Sequence, residues 1–200
     1  MTRALFILGH AGSGKTQLAK KWIKERNQKG ESWCLMDKDT IGEVLVKKIL
    51  TTMNLDPHDR DSEGYRLHVR DLEYEACLNV AREQLRTGIN VVLPGPWSKE
   101  IASGQIFDNL QIGFPEKTQT RHVYLDIPEE ELKNRITLRN SGRDAWKLEN
   151  WDIFKQRLIK PEEIINRKIV TLTHKMSDYT MLSKIKHLYK IGYSENRVEK

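Results

Sequence analysis

The feature that most constrains this chain is a glycine-rich segment near its amino end, Gly9-His10-Ala11-Gly12-Ser13-Gly14-Lys15-Thr16. The segment matches the pattern G-x-x-x-x-G-K-[ST], the P-loop, whose backbone N–H groups close around phosphate oxygens. The apolar residues 3–8 before it predict a buried parallel strand, and residues 17–26 after it have the apolar spacing of a helix. A strand, a glycine loop and a helix in this order are what the motif needs, so the sequence predicts a phosphate-binding loop.

All eight residues from 9 to 16 are therefore expected to bind the phosphates of a nucleoside triphosphate. The positive end of the following helix dipole points at the same phosphates. Lys15 is expected to reach the β- and γ-phosphates, and the Thr16 hydroxyl is expected to hold Mg²⁺. The predicted ligands are thus ATP and Mg²⁺, although the sequence does not separate ATP from GTP.

The rest of the chain alternates between strand and helix patterns, which predicts a three-layer αβα sandwich with a mostly parallel, five-stranded sheet. Further strands are expected at residues 32–36, 89–93 and 121–127, the second of them ending at Pro94-Gly95-Pro96. Helices are expected at residues 65–86, 129–140, 151–158 and 177–188, the last capped by Ser177. The apolar side of the helix at 65–86 would consist of Leu67, Leu72, Ala76, Leu78, Val80 and Leu85. Residues 167–173 fit either the last strand or part of a helix that begins near Pro161.

Length and composition predict one domain over residues 1–192 with a polar tail at 193–200. No apolar stretch is long enough to span a membrane. The first strand begins close to Met1, so we expect no signal peptide and a cytoplasmic location. Cys34 and Cys77 lack metal or redox spacing, which also suits a reducing compartment. The net charge of +6 suits phosphate-bearing ligands; nucleic acid is possible but not favoured, and both a monomer and a homodimer stay open.

Two acids, Asp37 and Asp39, follow the second predicted strand in the segment L-M-D-K-D-T. Ligands of such sheets bind at the carboxyl ends of the strands, where these carboxylates would face the P-loop. One could accept or orient the proton of a hydroxyl group, and the other could hold Mg²⁺ through water. The alternative is a pair of aspartates that only form a turn and cap a helix.

Three arginines, Arg135, Arg139 and Arg143, are spaced by four residues in a short lid at about residues 135–150. Guanidinium groups that close over a transferring phosphoryl group stabilise its charge. The alternative is a solvated basic face in which Glu131 pairs with Arg135. Trp146 and Trp151 are expected to anchor this lid by burial.

The strand at 89–93 ends without an acid, whereas switch proteins and remodelling ATPases offer one for their metal at such a strand end. This pattern favours a small kinase. The chain resembles the P-loop small-molecule and nucleic-acid kinases of the AAA-33 type, which include gluconate- and shikimate-kinase-like enzymes, chloramphenicol phosphotransferase, zeta toxins and polynucleotide 5′-kinases. The resemblance spans about residues 3–157 and rests on G-H-A-G-S-G-K-T, M-D-K-D-T, I-N-V-V-L and L-K-N-R-I-T-L-R-N-S-G-R-D.

The resemblance implies that Asp39, in D-T-I-G, is the general base, with Asp37 as the second choice. Gly42 stands where the family has a basic residue. By the same resemblance Arg135 stacks on adenine, Arg139 and Arg143 reach phosphates, and the metal rests on Thr16 with one of the two aspartates nearby. The family's acceptor-binding positions correspond to Tyr65, Arg66, His68, Arg70, Pro96 and Trp97. The alternative for Trp97 is a packing residue at the start of a loop.

The predicted activity is ATP-dependent transfer of a phosphoryl group to a hydroxyl of a small molecule, such as a nucleoside, nucleotide, sugar or antibiotic-like compound. Three alternatives stay open at this point. They are a polynucleotide 5′-hydroxyl kinase, a non-catalytic nucleotide-binding regulatory protein, and a toxin of the zeta type.

Overall fold

A parallel sheet forms the centre of the computed structural model, which describes residues 1–159 and 169–190. Its strands are β1 (Arg3–Leu8), β2 (Trp33–Leu35), β3 (Asn90–Gly95), β4 (Gln119–Asp126) and β5 (Ile169–Thr173). The spatial order is β2-β3-β1-β4-β5, and every neighbouring pair is parallel. The predicted α/β sandwich is confirmed, with a sheet that is parallel throughout.

Helices cover both faces of this sheet. They are α1 (Lys15–Asn27), α2 (Lys38–Thr52), α3 (Glu63–His68), α4 (Arg70–Arg86), α5 (Ser98–Ser103), α6 (Glu129–Arg139), α7 (Ala145–Glu149), α8 (Trp151–Lys155) and α9 (Asp178–Lys190). Within the described ranges, no helix has the length and apolar character that crossing a bilayer would need. For residues 167–173 the sequence left open a strand or a helix, and the structure forms a strand from Ile169 onward. The start of the alternative helix near Pro161 and the tail at 193–200 lie outside the described residues.

Strand β1 is buried on both faces, which explains its uninterrupted apolar sequence. Phe6 and Leu8 pack into one core with residues of α4, including Tyr74. Leu5 and Ile7 point to the other face, where α1 and α9 supply the neighbours. The P-loop therefore leaves the most deeply buried strand of the sheet and starts from a rigid base.

The single helix predicted at residues 65–86 is wrong: the chain forms α3 and α4, with a break at Val69 (φ −123°). Tyr65 and Val69 pack against α2, whereas the buried residues of α4 face the sheet. One straight helix cannot bury both faces, so the backbone bends between them. Leu67, Leu72 and Val80, expected on the buried side, are exposed.

Strand β3 does not stop at Leu93 as predicted but continues through Pro94 and Gly95, which pair in register with Ile7 and Leu8. The proline is tolerated because β2 ends at Leu35. The main-chain oxygen of Val92 accepts a hydrogen bond from the β2 side. Pro94 follows two residues later, so its backbone nitrogen is on the same side of β3 as the oxygen of Val92. No residue of β2 lies opposite it there, so the N–H that proline lacks would have had no strand partner.

Candidate active site

The P-loop lies between the end of β1 and the first turn of α1, and its glycines make its shape possible. Gly14, the N-cap of α1, has φ +92°, and Gly12 has φ +80°. A Cβ at Gly12 would also lie 3.2 Å from the main-chain oxygen of Leu132, so a larger residue is disfavoured by a tight contact as well as by backbone conformation. The glycines thus give the loop the backbone conformations that the motif needs, and the residues of the loop line the cleft.

Lys15 lies at the floor of the cleft, where its Nζ donates to the main-chain oxygen of His10 at 2.5 Å. The pKa of Lys15 is lowered to about 7, chiefly by burial and also by the nearby Lys38 and Arg139, because the opposite effect of Asp39 and Asp37 is too small to compensate. The ammonium group therefore lacks a sufficient negative partner in the free protein. A bound triphosphate would supply that negative charge.

His10 ties the P-loop to the carboxyl-terminal side of the lid. Its Nε2 accepts a hydrogen bond from the N–H of Ile159 at 2.9 Å, and its ring meets the edge of Tyr124 with centroids 6.0 Å apart. Burial lowers the pKa of His10 to about 4, so the ring is neutral at pH 7 and can accept this bond. The sequence pattern, which treats position 10 as variable, contains no signal for this contact.

Asp37 and Thr16 face each other across the entrance to α2. The Thr16 hydroxyl donates to Asp37 Oδ2 at 3.3 Å, and the other carboxylate oxygen accepts from the N–H of Asp39 at 3.1 Å as the cap of the helix. Burial and the charge of Asp39 raise the pKa of Asp37. The capping role left open for these aspartates thus applies to Asp37, which also reaches the P-loop.

Asp39 lies two residues further along the chain, in the first turn of α2. Lys38 Nζ approaches its carboxylate to 2.6 Å and Arg143 Nη1 approaches it to 2.8 Å. Burial alone would raise the pKa of Asp39, but these two cations outweigh it and hold the pKa well below its usual value. Asp39 therefore stays ionised at any physiological pH and can accept a hydroxyl hydrogen.

Lys38 contacts a buried group of polar side chains that the sequence analysis did not predict. Lys38 Nζ donates to Glu73 at 3.1 Å, and the Tyr65 hydroxyl donates to the same carboxylate. Arg60 Nε lies 3.8 Å from Glu73. A Cβ at Gly42 would meet Glu73 Cγ at 3.0 Å, so Gly42 makes room for this group. Lys38 and Arg60 place positive charge beside Asp39 where the family's basic residue is absent.

The three arginines of the lid all line the cleft, and each holds a carboxylate in this structure. Arg135 pairs with Glu131 at 2.8 Å, the alternative that the sequence left open. Arg139 holds both carboxylate oxygens of the buried Asp144, at 2.7 and 2.8 Å, and Arg143 holds Asp39. Their expected contacts with adenine and phosphates are not tested by this structure and stay predictions.

The lid is tied to the loop before α3 by further contacts that the sequence does not signal. Lys147 lies 2.6 Å from Asp61 and 3.3 Å from Asp144. Trp151 is 8% exposed and packs with the core of the lid, and Trp146 packs against the same cluster. Both tryptophans therefore anchor the lid as predicted.

The cleft has a volume of about 1850 Å³ and includes most of the expected acceptor positions. Tyr65, Arg66, Arg70 and Pro96 line it. Trp97 does not: it is 0% exposed and packs edge-on against Phe6 and Tyr74, so of its two alternatives the packing role is confirmed. His68 is exposed outside the cleft, because the break at Val69 ends α3 there.

Oxygen atoms dominate the part of the cleft where a metal would lie. The hydroxyl of Thr16 and the carboxylate of Asp37 are hard oxygen donors, the type that Mg²⁺ takes. Over residues 1–159 and 169–190, no group of three or more His, Cys, Asp or Glu side chains forms a closed metal cage. Mg²⁺ in kinases is usually held by one or two protein groups together with substrate phosphates, so these residues fit it.

Comparisons with known proteins agree with this geometry. Residues 5–161 match the AAA_33 family, described as an AAA domain. No curated protein matches the sequence. Among solved structures, the APS kinase of Mycobacterium tuberculosis, in complex with AMPPNP and APS, superposes with a TM-score of 0.63 at 17% identity, over 95% of this chain and 98% of that one.

Two other kinases have the same fold. A gluconokinase from Sinorhizobium meliloti gives a TM-score of 0.55 at 16% identity, over 94% of this chain and 96% of that one. A shikimate kinase from Bacteroides thetaiotaomicron gives 0.56 at 18% identity, over 94% and 99%. The fold is therefore that of P-loop kinases.

Proposed function

This chain belongs to the AAA_33 family of AAA domains, and on that premise we propose that it is an ATP-dependent kinase that phosphorylates a hydroxyl group of a small molecule. One observation carries the proposal. A single cleft brings the P-loop lysine, Lys15, together with two carboxylates of different surroundings, Asp37 beside Thr16 and Asp39 on the acceptor side. Kinases need this separation between the metal side and the alcohol side of the transferred group.

In the proposed complex, the P-loop amides and the dipole of α1 bind the triphosphate. The phosphates restore the positive charge of Lys15, whose pKa is lowered to about 7 in the free protein. Arg139 and Arg143 exchange their carboxylate partners for phosphate oxygens as the charge of the transition state develops. Arg135 leaves Glu131 and covers the adenine ring.

Thr16 and Asp37 are the residues proposed to hold Mg²⁺, Thr16 directly and Asp37 through water. When bound, the ion neutralises charge on the β- and γ-phosphate oxygens. Asp37 orients the Thr16 hydroxyl through the 3.3 Å hydrogen bond.

Asp39 is proposed to accept the hydrogen of the acceptor hydroxyl, with Asp37 as the second choice. The acceptor oxygen forms a bond to the γ-phosphorus, and the bond from that phosphorus to the β,γ-bridging oxygen breaks. ADP leaves with the electron pair, and the hydroxyl proton passes to Asp39 and then to solvent. Because Lys38 and Arg143 lower the pKa of Asp39, we expect it to orient the hydroxyl and to take its proton late.

A coupled ADP-release assay tests the proposal over nucleosides, nucleotides, sugars, and aminoglycoside- or chloramphenicol-type antibiotics. Turnover is expected to require Mg²⁺ and to be lost in Lys15→Ala and Asp39→Asn but kept in Lys20→Ala, an exposed lysine of α1 outside the cleft. Unchanged turnover in the first two variants would refute the assigned roles.

Two further measurements test two of the alternative functions. Labelling of a 5′-hydroxyl oligonucleotide would point to a polynucleotide kinase, and tight AMPPNP binding without turnover on any acceptor would point to a regulatory protein. Cys34 and Cys77 are free thiols, and we place the proposed enzyme in the cytoplasm, where thiols stay reduced.

A further inference from the structure

Two segments carry the lid, and consecutive residues of the P-loop touch both of them. We call α6 the incoming stem and residues 151–159, which contain α8, the outgoing stem. A Cβ at Gly12 would lie 3.0 Å from Cγ1 of Ile136, so the loop is packed tightly against the incoming stem. Ala11 packs on the apolar cluster of the lid, which contains Ile136 of the incoming stem and Phe154 of the outgoing stem. The P-loop and the base of the lid are therefore packed together.

The side chain of His10 fixes the main chain of the outgoing stem at one residue, Ile159. His10 Nε2 accepts a hydrogen bond from the N–H of Ile159 at 2.9 Å, and the Tyr124 hydroxyl donates to the carbonyl oxygen of Ile159 at 3.3 Å. The rings of His10 and Tyr124 also meet edge-on. The stem is thus attached at this point both to the P-loop and to strand β4.

The main chain of His10 belongs to the phosphate-binding loop itself. Its carbonyl oxygen accepts a hydrogen bond from Lys15 Nζ at 2.5 Å and another from the N–H of Ser13 at 3.2 Å. One residue therefore contacts the P-loop lysine through its backbone and the outgoing stem through its side chain. A shift of His10 would move both of these partners.

A second buried histidine, His122 in β4, provides a comparison within the same chain. His10 is 8% exposed and His122 is 3% exposed, and burial lowers the pKa of each ring to about 4. The ring of His122 stacks on Phe6 with centroids 5.1 Å apart, and its Nε2 lies 2.9 Å from the main-chain oxygen of Ile106. These partners of His122 lie in the core, whereas His10 lines the cleft and joins the P-loop to the lid.

We infer that His10 is a positioning residue for the proposed phosphoryl transfer, because its side chain holds the outgoing stem of the lid on the P-loop. The inference rests on the proposed function, in which Arg139 and Arg143 of the lid reach the phosphates. A segment whose two ends are both fixed has fewer conformations than one with a free end. The arginines between the stems are thus held in place before the reaction, and a displacement of about 1 Å at such a group can cost on the order of 10²-fold in rate.

The first test requires no acceptor and measures hydrogen exchange at the N–H of Ile159 in the full chain. Glutamine places an acceptor oxygen near the position of Nε2, so His10→Gln can keep the hydrogen bond that His10→Ala removes. We expect exchange at Ile159 to be about 5- to 10-fold faster in His10→Ala and near the wild-type rate in His10→Gln. AMPPNP with Mg²⁺ should slow this exchange in the wild type and have less effect in His10→Ala.

Equal exchange at Ile159 in the wild type and in His10→Ala would overturn the inference. Failure of the wild type to bind AMPPNP would instead overturn the proposed function, so the two failures are distinguishable. His10→Asn is polar but shorter, and it should behave as His10→Ala does. It replaces that variant if the alanine chain does not fold.

The second test measures kinetics on the acceptor found in the ADP-release assay, with kcat expressed per folded protein. We expect kcat to fall about 10-fold in His10→Ala while the KM for ATP changes less, because the lid arginines act on the transition state. His10→Gln should recover most of this loss.

The matched control is His122→Gln. It should lower the free energy of unfolding, because the ring of His122 stacks on Phe6 in the core, and leave kcat unchanged. A His10→Ala variant that behaves in the same way, less stable but with the kcat of the wild type, would show that His10 is only a structural residue and would overturn the inference.

Discussion

The two sides of the cleft are built in different ways. The nucleotide side is one run of residues, 9–16, whose shape follows from three left-handed glycines and the start of a helix. The acceptor side is assembled from ion pairs between distant segments, such as Asp61 with Lys147 and Asp39 with Arg143. The proposed binding of a triphosphate can therefore be encoded locally, whereas the proposed selection of an acceptor depends on how separate elements pack.

The largest effect is expected from Lys15→Ala on the nucleotide side. Removal of the only lysine of the loop should lower kcat by about 10³-fold, because preorganised charge at the transferring group is lost. Lys20→Ala serves as the control in the same helix. Equal values of kcat in Lys15→Ala and Lys20→Ala would contradict the role assigned to Lys15 in the P-loop.

A smaller loss of kcat, of about 10²-fold, is expected from Asp39→Asn on the acceptor side. AMPPNP affinity should change little, because the role proposed for Asp39 is with the acceptor hydroxyl. Asp37→Asn should instead raise the Mg²⁺ concentration needed for half-maximal activity by about 10-fold, because Asp37 orients Thr16. Measurement of kcat against Mg²⁺ for both variants separates the roles; a reversed result would exchange them.

Loss of an ion pair in the lid is expected to change the free energy of unfolding rather than the rate of the catalysed step. Asp144→Ala should lower the free energy of unfolding by about 2–4 kcal/mol, because Arg139 and Lys147 lose a buried partner. Asp152→Ala removes an exposed pair in α8 and should leave the free energy of unfolding nearly unchanged. Urea unfolding of both variants checks this, and similar values would show that the lid pairs are not coupled to folding.

The smallest predicted effect is a change in the protonation of Lys15. The pKa of Lys15 is lowered from 10.5 to about 7, so between these values the unfolded chain binds more protons and the stability of the free protein rises with pH. Nucleotide phosphates favour the charged lysine, so binding at pH 8 should take up about 0.9 proton. Calorimetry with AMPPNP in buffers of different ionisation enthalpy measures this uptake, which should be absent in Lys15→Ala. His10, with a pKa of about 4, does not contribute in this range.

Sequence reasoning performed best where one segment determines its own conformation. The P-loop and the strand β1 are of this kind, since glycines and a continuous apolar run act within a few residues. It performed worse where packing against other elements determines the conformation. At Val69 two packing partners bend a predicted helix, and at Pro94 the strand continues through a proline only because β2 is short. At Trp97 the sequence left open a contact with the acceptor and a packing role, and only the tertiary structure shows that the side chain packs in the core.

The amino-acid sequence by itself determined the α/β class, the kinase-type loop and the position of the two aspartates, because these depend on short-range pattern and on backbone conformation. Only the tertiary structure decided that Asp37 faces Thr16 while Asp39 faces Lys38 and Arg143. It also decided that Lys147 of the lid lies beside Asp61 of the loop before α3. The physical reason is that charge interactions depend on distance in space, and residues almost a hundred positions apart become neighbours only when the sheet and the lid have packed.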